Sequence, residues 1–281
     1  MHSNILVIAD QETGGTKALE KARDIAKAGG ARVTALAFVD TEAKGESPSL
    51  GGRHSSLQES AKDIFSELPD ARCDVVATPD IAAFCKRYTQ EHNIDLVLKT
   101  GNRSEKLFYT PLDWRLIREL TCPVIIASAN KWRPRHNVMA TIDIASDNQA
   151  QRQLDEKVLH WASAWAALHQ NKLHIAYCIP IAEPLSELEI VSKGEQELKK
   201  SAKMKDKIRA LLEHLNVEHE SILVEAGVPD RVLPSLANRV KAELVVMGSV
   251  GRKGVKGSLL GNTAEKVMHK LRTDLAVIHP D

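Results

Sequence analysis

The heptapeptide Asn4-Ile5-Leu6-Val7-Ile8-Ala9-Asp10 returns near the middle of the chain as Asn137-Val138-Met139-Ala140-Thr141-Ile142-Asp143, an apolar run that opens on Asn and closes on Asp. Such a repeat decides the architecture before any single element is assigned, because a duplicated unit must fold twice in the same way. Working outward, Ile94-Asp95-Leu96-Val97-Leu98-Lys99 matches Ala242-Glu243-Leu244-Val245-Val246-Met247, and each half closes on another apolar run, Pro123-Val124-Ile125-Ile126-Ala127 and Leu275-Ala276-Val277-Ile278. The halves differ in spacing by about fifteen residues, a difference expected mainly between the second and third strands. The polar, proline-interrupted stretch from Lys131 to His136 marks the join, giving repeats over 1–130 and 137–281.

Between the apolar runs the period changes. Leu154, Val158, Trp161, Trp165 and Leu168 recur at helical spacing, as do Ala18, Leu19, Ala22, Ile25 and Ala26 in the first half. Strands apolar almost throughout, alternating with amphipathic helices, mark parallel sheets covered on both faces, so each repeat is predicted to be a doubly wound α/β unit with five strands. In the second repeat those strands are expected near 137–143, 171–179, 219–225, 243–248 and 274–279. Residues 41–58, rich in Gly and Ser, read as a polar loop, either disordered or laid over a pocket.

Composition narrows the function classes. The 281 residues carry 38 basic and 37 acidic side chains, divided evenly between the halves, which leaves no basic tail for nucleic acid. No apolar run approaches the ~18 residues of a membrane span. The run Ile5 to Ala9 is too short for a signal-peptide core, so the cytoplasm is the expected compartment. Cys73, Cys85, Cys122 and Cys178 have neither CxxC pairing nor disulfide spacing and read as small buried hydrophobes.

Five glycines, Gly248, Gly251, Gly254, Gly257 and Gly261, fall within fourteen residues between the fourth strand of the second repeat and its last helix. Glycine-rich backbone lets amides converge on an anion, and the helix that follows adds unpaired N–H groups and the positive end of its dipole. Arg252, Lys253 and Lys256 lie in the loop with no acidic residue among them, so the segment reads as a phosphate cradle. It is not a Walker loop, since no GKS or GKT follows, and it is not the GxGxxG dinucleotide fingerprint. Asn262 also reads as the N-cap of the last helix, with Glu265 completing a capping-box variant. Asp143 reads either as a ligand contact or as a cap of the next turn.

Gly248, Gly251 and Gly261 spell GxxG, nine residues and a further Gly, and here the sequence resembles the universal stress protein family, whose ATP-binding members carry that spacing followed by Ser or Thr. Asn262 stands in place of the hydroxyl residue, with Thr263 next to it. The turn Gly227-Val228-Pro229 is similar to the family's G-x-P turn before the third helix, and the resemblance runs over nearly the whole chain. It implies the adenine nucleotide alpha hydrolase-like fold: two tandem doubly wound parallel-sheet domains with strand order 3-2-1-4-5. The ligand crevice then lies at the carboxyl ends of strands 1 and 4, where the strand order reverses. The resemblance further implies ATP as the ligand of the second repeat only, with Asp143 near adenine and ribose and with Met247, Gly248, Gly251, Arg252, Gly261, Asn262 and Thr263 lining the rest of the site. A divalent ion could accompany the phosphates through Asp143. Family members dimerise through the last strand, so two fused repeats imply an internal pseudo-dimer with Ile126 and Ile278 near its interface, and leave a further homodimer open.

The first repeat departs from the motif: Thr100 and Arg103 stand where glycines should be, and the loop before the last helix is about three residues shorter. No triphosphate is expected there, and Thr110-Pro111-Leu112-Asp113 reads as helix punctuation. No nucleophile with its base and no HExxH or HxxEH spacing is legible, and the eleven His are scattered. The sequence therefore points to a non-catalytic stress-response module that binds a small-molecule ligand. A slow ATPase or phosphotransferase, and a binder of a lipid-like or other apolar metabolite, stand as the alternatives.

Overall fold

The computed structural model describes residues 3–9, 16–39, 41, 50–101, 111–128, 130–133, 136–181, 194–249 and 262–280, and the chain divides into two compact units, Met1–Trp132 and Arg133–Asp281. In the first unit β1 (Asn4–Ile8), β2 (Arg32–Val39), β3 (Arg72–Ala77), β4 (Leu96–Thr100) and β5 (Val124–Ala127) pair in parallel in the order β3-β2-β1-β4-β5. The crossovers carry α1 (Thr16–Gly29), α2 (Leu50–Ile64), α3 (Ile81–Glu91) and α4 (Pro111–Glu119). The second unit repeats the scheme with β6 (Asn137–Thr141), β7 (Lys172–Pro180), β8 (Ser221–Gly227), β9 (Ala242–Gly248) and β10 (Asp274–Ile278), paired in parallel in the order β8-β7-β6-β9-β10. Its helices are α5 (Gln149–His169), α6 (Gly194–His214), α7 (Pro229–Arg239) and α8 (Asn262–Lys270). Both units thus have the 3-2-1-4-5 order, and all five strands expected in the second repeat are present.

Burial explains the sequence pattern. Ile5, Leu6 and Val7 in β1 and Val138, Met139 and Ala140 in β6 are fully shielded, so these runs show no alternation. The helix α1 buries all five residues of its predicted stripe, and α5 buries Leu154, Val158 and Trp165 while Trp161 and Leu168 are half-buried. Pro111 opens α4 and Asp113 lies in its first turn, as the punctuation reading requires, while Thr110 is outside the described residues.

Three expectations need correction. Residues 50–58 belong to α2 and are not loop: Leu57, Ala61 and Phe65 are buried along one side, and that apolar contact outweighs the poor helix propensity of Gly and Ser. The extra length of the second repeat is shared between two crossovers, since α5 has 21 residues against 14 in α1 and α6 has 21 against 15 in α2. Only Cys85 and Cys178 are buried; Cys73 and Cys122 are half-buried. All four are unpaired thiols, and burial pushes Cys85, Cys122 and Cys178 up to about 12, so none of those three is a ready nucleophile.

Candidate functional site

In the second unit Thr141, the last residue of β6, pairs with Met247 of β9. Asp143 and Gly248 therefore lie at the carboxyl ends of neighbouring strands, at the point where the strand order reverses and the crossovers diverge. Met247 itself is buried in the sheet. A Cβ at Gly248 would sit 2.6 Å from Cδ2 and 2.7 Å from Cγ of Leu154, so the absence of a side chain is what lets α5 close over the end of β9. Asp10, Arg103, Gly251, Arg252 and Gly261 lie outside the described residues, as do the side chains of Asn262 and Thr263, whose backbone opens α8.

Asp143 is held by its main chain. Its N–H donates to both carboxylate oxygens of Asp155 on α5, at 3.2 and 3.1 Å, and Gln151 Nε2 donates to Asp155 Oδ1 at 2.9 Å. The Asp143 carbonyl accepts the Ser146 N–H at 3.1 Å, and Asn148 then caps α5 by accepting the Ala150 N–H at 2.9 Å. The Asp143 side chain reaches solvent, yet the protein packed around it raises its carboxyl above the usual value, against the opposing hydrogen bond from the Ala145 amide. That bond to the amide two residues on is the turn-capping role weighed from the sequence, and it leaves the carboxylate at the rim of the crevice. Tyr177 on β7 senses the same charge: burial first, then Asp143, push its phenol up to about 12.

Asp155 escaped the motif reading, although a signal was present. A carboxylate between Leu154 and Val158 on the apolar stripe of a helix is tolerated only with internal partners. It is 4% exposed and is pushed up to about 6, chiefly by burial, with the Asp143 charge adding to the shift and the Asp143 amide and Gln151 opposing it. Because its folded pKa lies above that of an unfolded Asp, the stability it contributes is fully present below pH ~4 and is lost as pH rises through about 6. The shift corresponds to about 3 kcal/mol lost between pH ~4 and pH ~7.5. Denaturant midpoints should therefore fall over that window, and Asp155→Asn, which has no proton to lose, should flatten the fall. Equal slopes in both proteins would show that Asp155 does not titrate in this way.

The corresponding place in the first unit is built differently. Ile8 of β1 stands against Lys99 as Thr141 stands against Met247, so Lys99 and Thr100 take the positions of Met247 and Gly248. Thr100 Oγ1 accepts the N–H of Ala18 in the first turn of α1 at 3.1 Å. Lys99 Nζ lies 2.9 Å from Asp113 Oδ1, with side chains 1% and 0% exposed, and donates to the Thr100 carbonyl at 3.0 Å. Lys21, which α1 places as α5 places Leu154, is also buried; its Nζ donates to the Ser128 carbonyl at 3.0 Å and sits 5.3 Å from the Trp132 ring centre. Thr100 was visible from the sequence as a lost glycine. The lysines were not, because Lys99 closes an apolar run and reads as a strand end, while Lys21, between Glu20 and Ala22 with Arg23 next, reads as a helix surface.

A duplicated 3-2-1-4-5 sheet with an acidic turn facing a glycine-ended strand defines a class of protein, and comparison with known families supplies its name. The model of the universal stress protein family matches residues 1–128 and again 140–279, and the chain belongs to that family. Over 193 residues it is 30% identical to universal stress protein E of Escherichia coli, an alignment taking in 66% of this chain and 61% of the relative. It is 27% identical over 197 residues to the universal stress protein E homolog of Haemophilus influenzae, covering 68% of this chain and 64% of that one. These alignments span a little under two thirds of the relatives' own length. A crystal structure of a universal stress protein from Pseudomonas aeruginosa matches 100% of this chain and 94% of its own with a TM-score of 0.76 at 24% identity. One from Archaeoglobus fulgidus matches 98% of each chain with a TM-score of 0.65 at 16% identity, and these likenesses show the fold.

Among the described residues no group of three or more His, Cys, Asp and Glu is placed to hold a metal ion, and no helix is long and apolar enough to cross a membrane. The histidines remain scattered: the His169 ring lies tilted against Trp165 with centroids 4.5 Å apart, and His219 Nδ1 contacts the Val217 carbonyl.

Proposed function

We propose that the protein is a cytoplasmic, non-catalytic stress-response module whose second repeat binds an adenine nucleotide, ATP above all, between the carboxyl ends of β6 and β9. The observation that carries this reading is the contrast between the two repeats. At the strand 4 end the second repeat has Met247 and Gly248, beside a turn anchored through Asp143 and Asp155, whereas the first has Lys99, Thr100 and the carboxylate of Asp113. In this reading the backbone at Gly248, Gly251 and Gly261 and the first turn of α8 take the phosphates, and Arg252 adds positive potential. Asn262 offers an amide donor where related motifs offer a hydroxyl, and Thr263 supplies a hydroxyl one residue on. The exposed Asp143 carboxylate accepts from ribose or adenine, and a divalent ion would be held through the phosphates and this same carboxylate.

Native mass spectrometry of protein purified without added ligand tests the proposal. Adducts with the mass of an adenine nucleotide, one per chain, are the expected result, and an acyl-chain mass would replace it with the apolar-metabolite reading. Multiple-turnover phosphate release that Gly251→Val abolishes would turn the module into a slow ATPase.

A further inference from the structure

The two units differ sharply in the residues they carry at the end of the fourth strand and in the first turn of the last helix. Strand register equates Lys99 with Met247, and a residue-for-residue match of the two nine-residue helices α4 and α8, each followed by its closing strand, equates Asp113 with Ala264, the third residue of each. The first repeat thus carries a lysine and a carboxylate where the second carries two apolar residues. The pair is sealed: Lys99 and Asp113 are 1% and 0% exposed, their charged atoms 2.9 Å apart.

A buried ion pair is an odd choice for stability alone, because the desolvation of both charges offsets most of their attraction, and an apolar pair of similar volume does as well. In sequence the second repeat has the apolar pair Met247 and Ala264 at these positions. What the pair does accomplish follows from its location. Asp113 lies in the first turn of a helix, where the helix dipole favours a negative charge, and Lys99 supplies a cation at the end of β4. Those are the components of an oxyanion site, with the oxyanion provided by the chain itself.

We propose that the first repeat is a self-liganded copy of the crevice, in which the Asp113 carboxylate takes the place of a bound anion and Lys99 is its counter-charge. Removing that carboxylate alone creates a vacant seat for a small oxyanion such as formate or phosphate. Replacing both residues creates none. The inference shares with the proposed function only the premise that this end of the crevice suits an anion, and it is read out in the other repeat without any nucleotide.

The experiment is thermal unfolding of the full chain in formate, in phosphate and in chloride of equal ionic strength, for the wild type, Asp113→Gly and Lys99→Met/Asp113→Ala. Asp113→Gly is expected to melt below the wild type and to regain more of the loss in formate or phosphate than in chloride. The double variant and the wild type should gain no more from the oxyanions than from chloride. Recovery of Asp113→Gly that is equal in all three salts, or an equal oxyanion response in the double variant, would overturn the proposal, as would an Asp113→Gly protein that melts like the wild type. If Asp113→Gly does not fold alone, its refolding yield in formate against chloride carries the same comparison, with a formate-specific gain expected and equal yields contradicting the idea. Failure of ATP to bind the second repeat would leave these outcomes unchanged, so the two readings fall separately.

Discussion

Lys99→Met, made alone, should cost the protein about 3–5 kcal/mol and lower its melting temperature by roughly 10 °C. The cause is electrostatic. Methionine fills the space of the lysine stem, so the lost packing is small, but the fully buried carboxylate of Asp113 loses the cation that lies 2.9 Å from it. Adding Asp113→Ala to Lys99→Met should return most of the lost stability, because the resulting pair of residues is the one the second repeat already holds as Met247 and Ala264. A double-mutant cycle from denaturant midpoints gives the coupling, and single and double variants that lose stability additively would show that the pair is not coupled.

The second large effect is expected at Gly248. Valine there places its Cβ within 2.6 to 3.2 Å of three Leu154 atoms, so α5 must shift or Leu154 must leave its rotamer. Overpacking of this kind costs about 1–3 kcal/mol. The functional loss should be greater than the stability loss, because Asp155 is the next residue along α5 and holds the Asp143 amide with both oxygens. A shift of the helix therefore loosens the acidic turn as well as narrowing the strand end, and ATP affinity should fall at least about tenfold, a loss of ~1.4 kcal/mol or more. Leu154→Ala placed in the Gly248→Val background should recover part of it by making room. Unchanged affinity in Gly248→Val would remove the strand end from the site.

The fold was legible in the sequence for a physical reason. A parallel sheet buried on both faces needs nearly unbroken apolar strands, and Asn4–Ile8 and Asn137–Thr141 advertise this twice in the same words. The helix stripes of α1 and α5 were equally clear. What could not be read was where buried polarity would be tolerated. Lys99 closes an apolar strand, whereas Asp155 and Lys21 have charged neighbours in Glu156 and Glu20, and only the folded chain shows the partners that make their burial affordable: the Asp143 amide, the Asp113 carboxylate and the Ser128 carbonyl. The helical residues 50–58 were missed for the converse reason, since Leu57 anchors to its unit through contacts distant in sequence while its neighbours Gly51, Gly52, Ser55 and Ser56 spell a loop. Of the candidate site residues, Asp143, Met247 and Gly248 are gathered at one crevice by the β6–β9 pairing, and the remainder belong to the loop and helix start that follow β9 in sequence.

The central claim is that the two repeats have parted in chemistry, one keeping a seat for a nucleotide and the other filling it with its own charges. Calorimetric titration of the full chain with ATP, in wild type and in Gly251→Val, tests it most directly. The account predicts a stoichiometry of one ATP per chain, abolished by Gly251→Val with the fold intact by circular dichroism. Two equivalents per chain, or one that survives Gly251→Val, or none in the well-folded wild type, would contradict it.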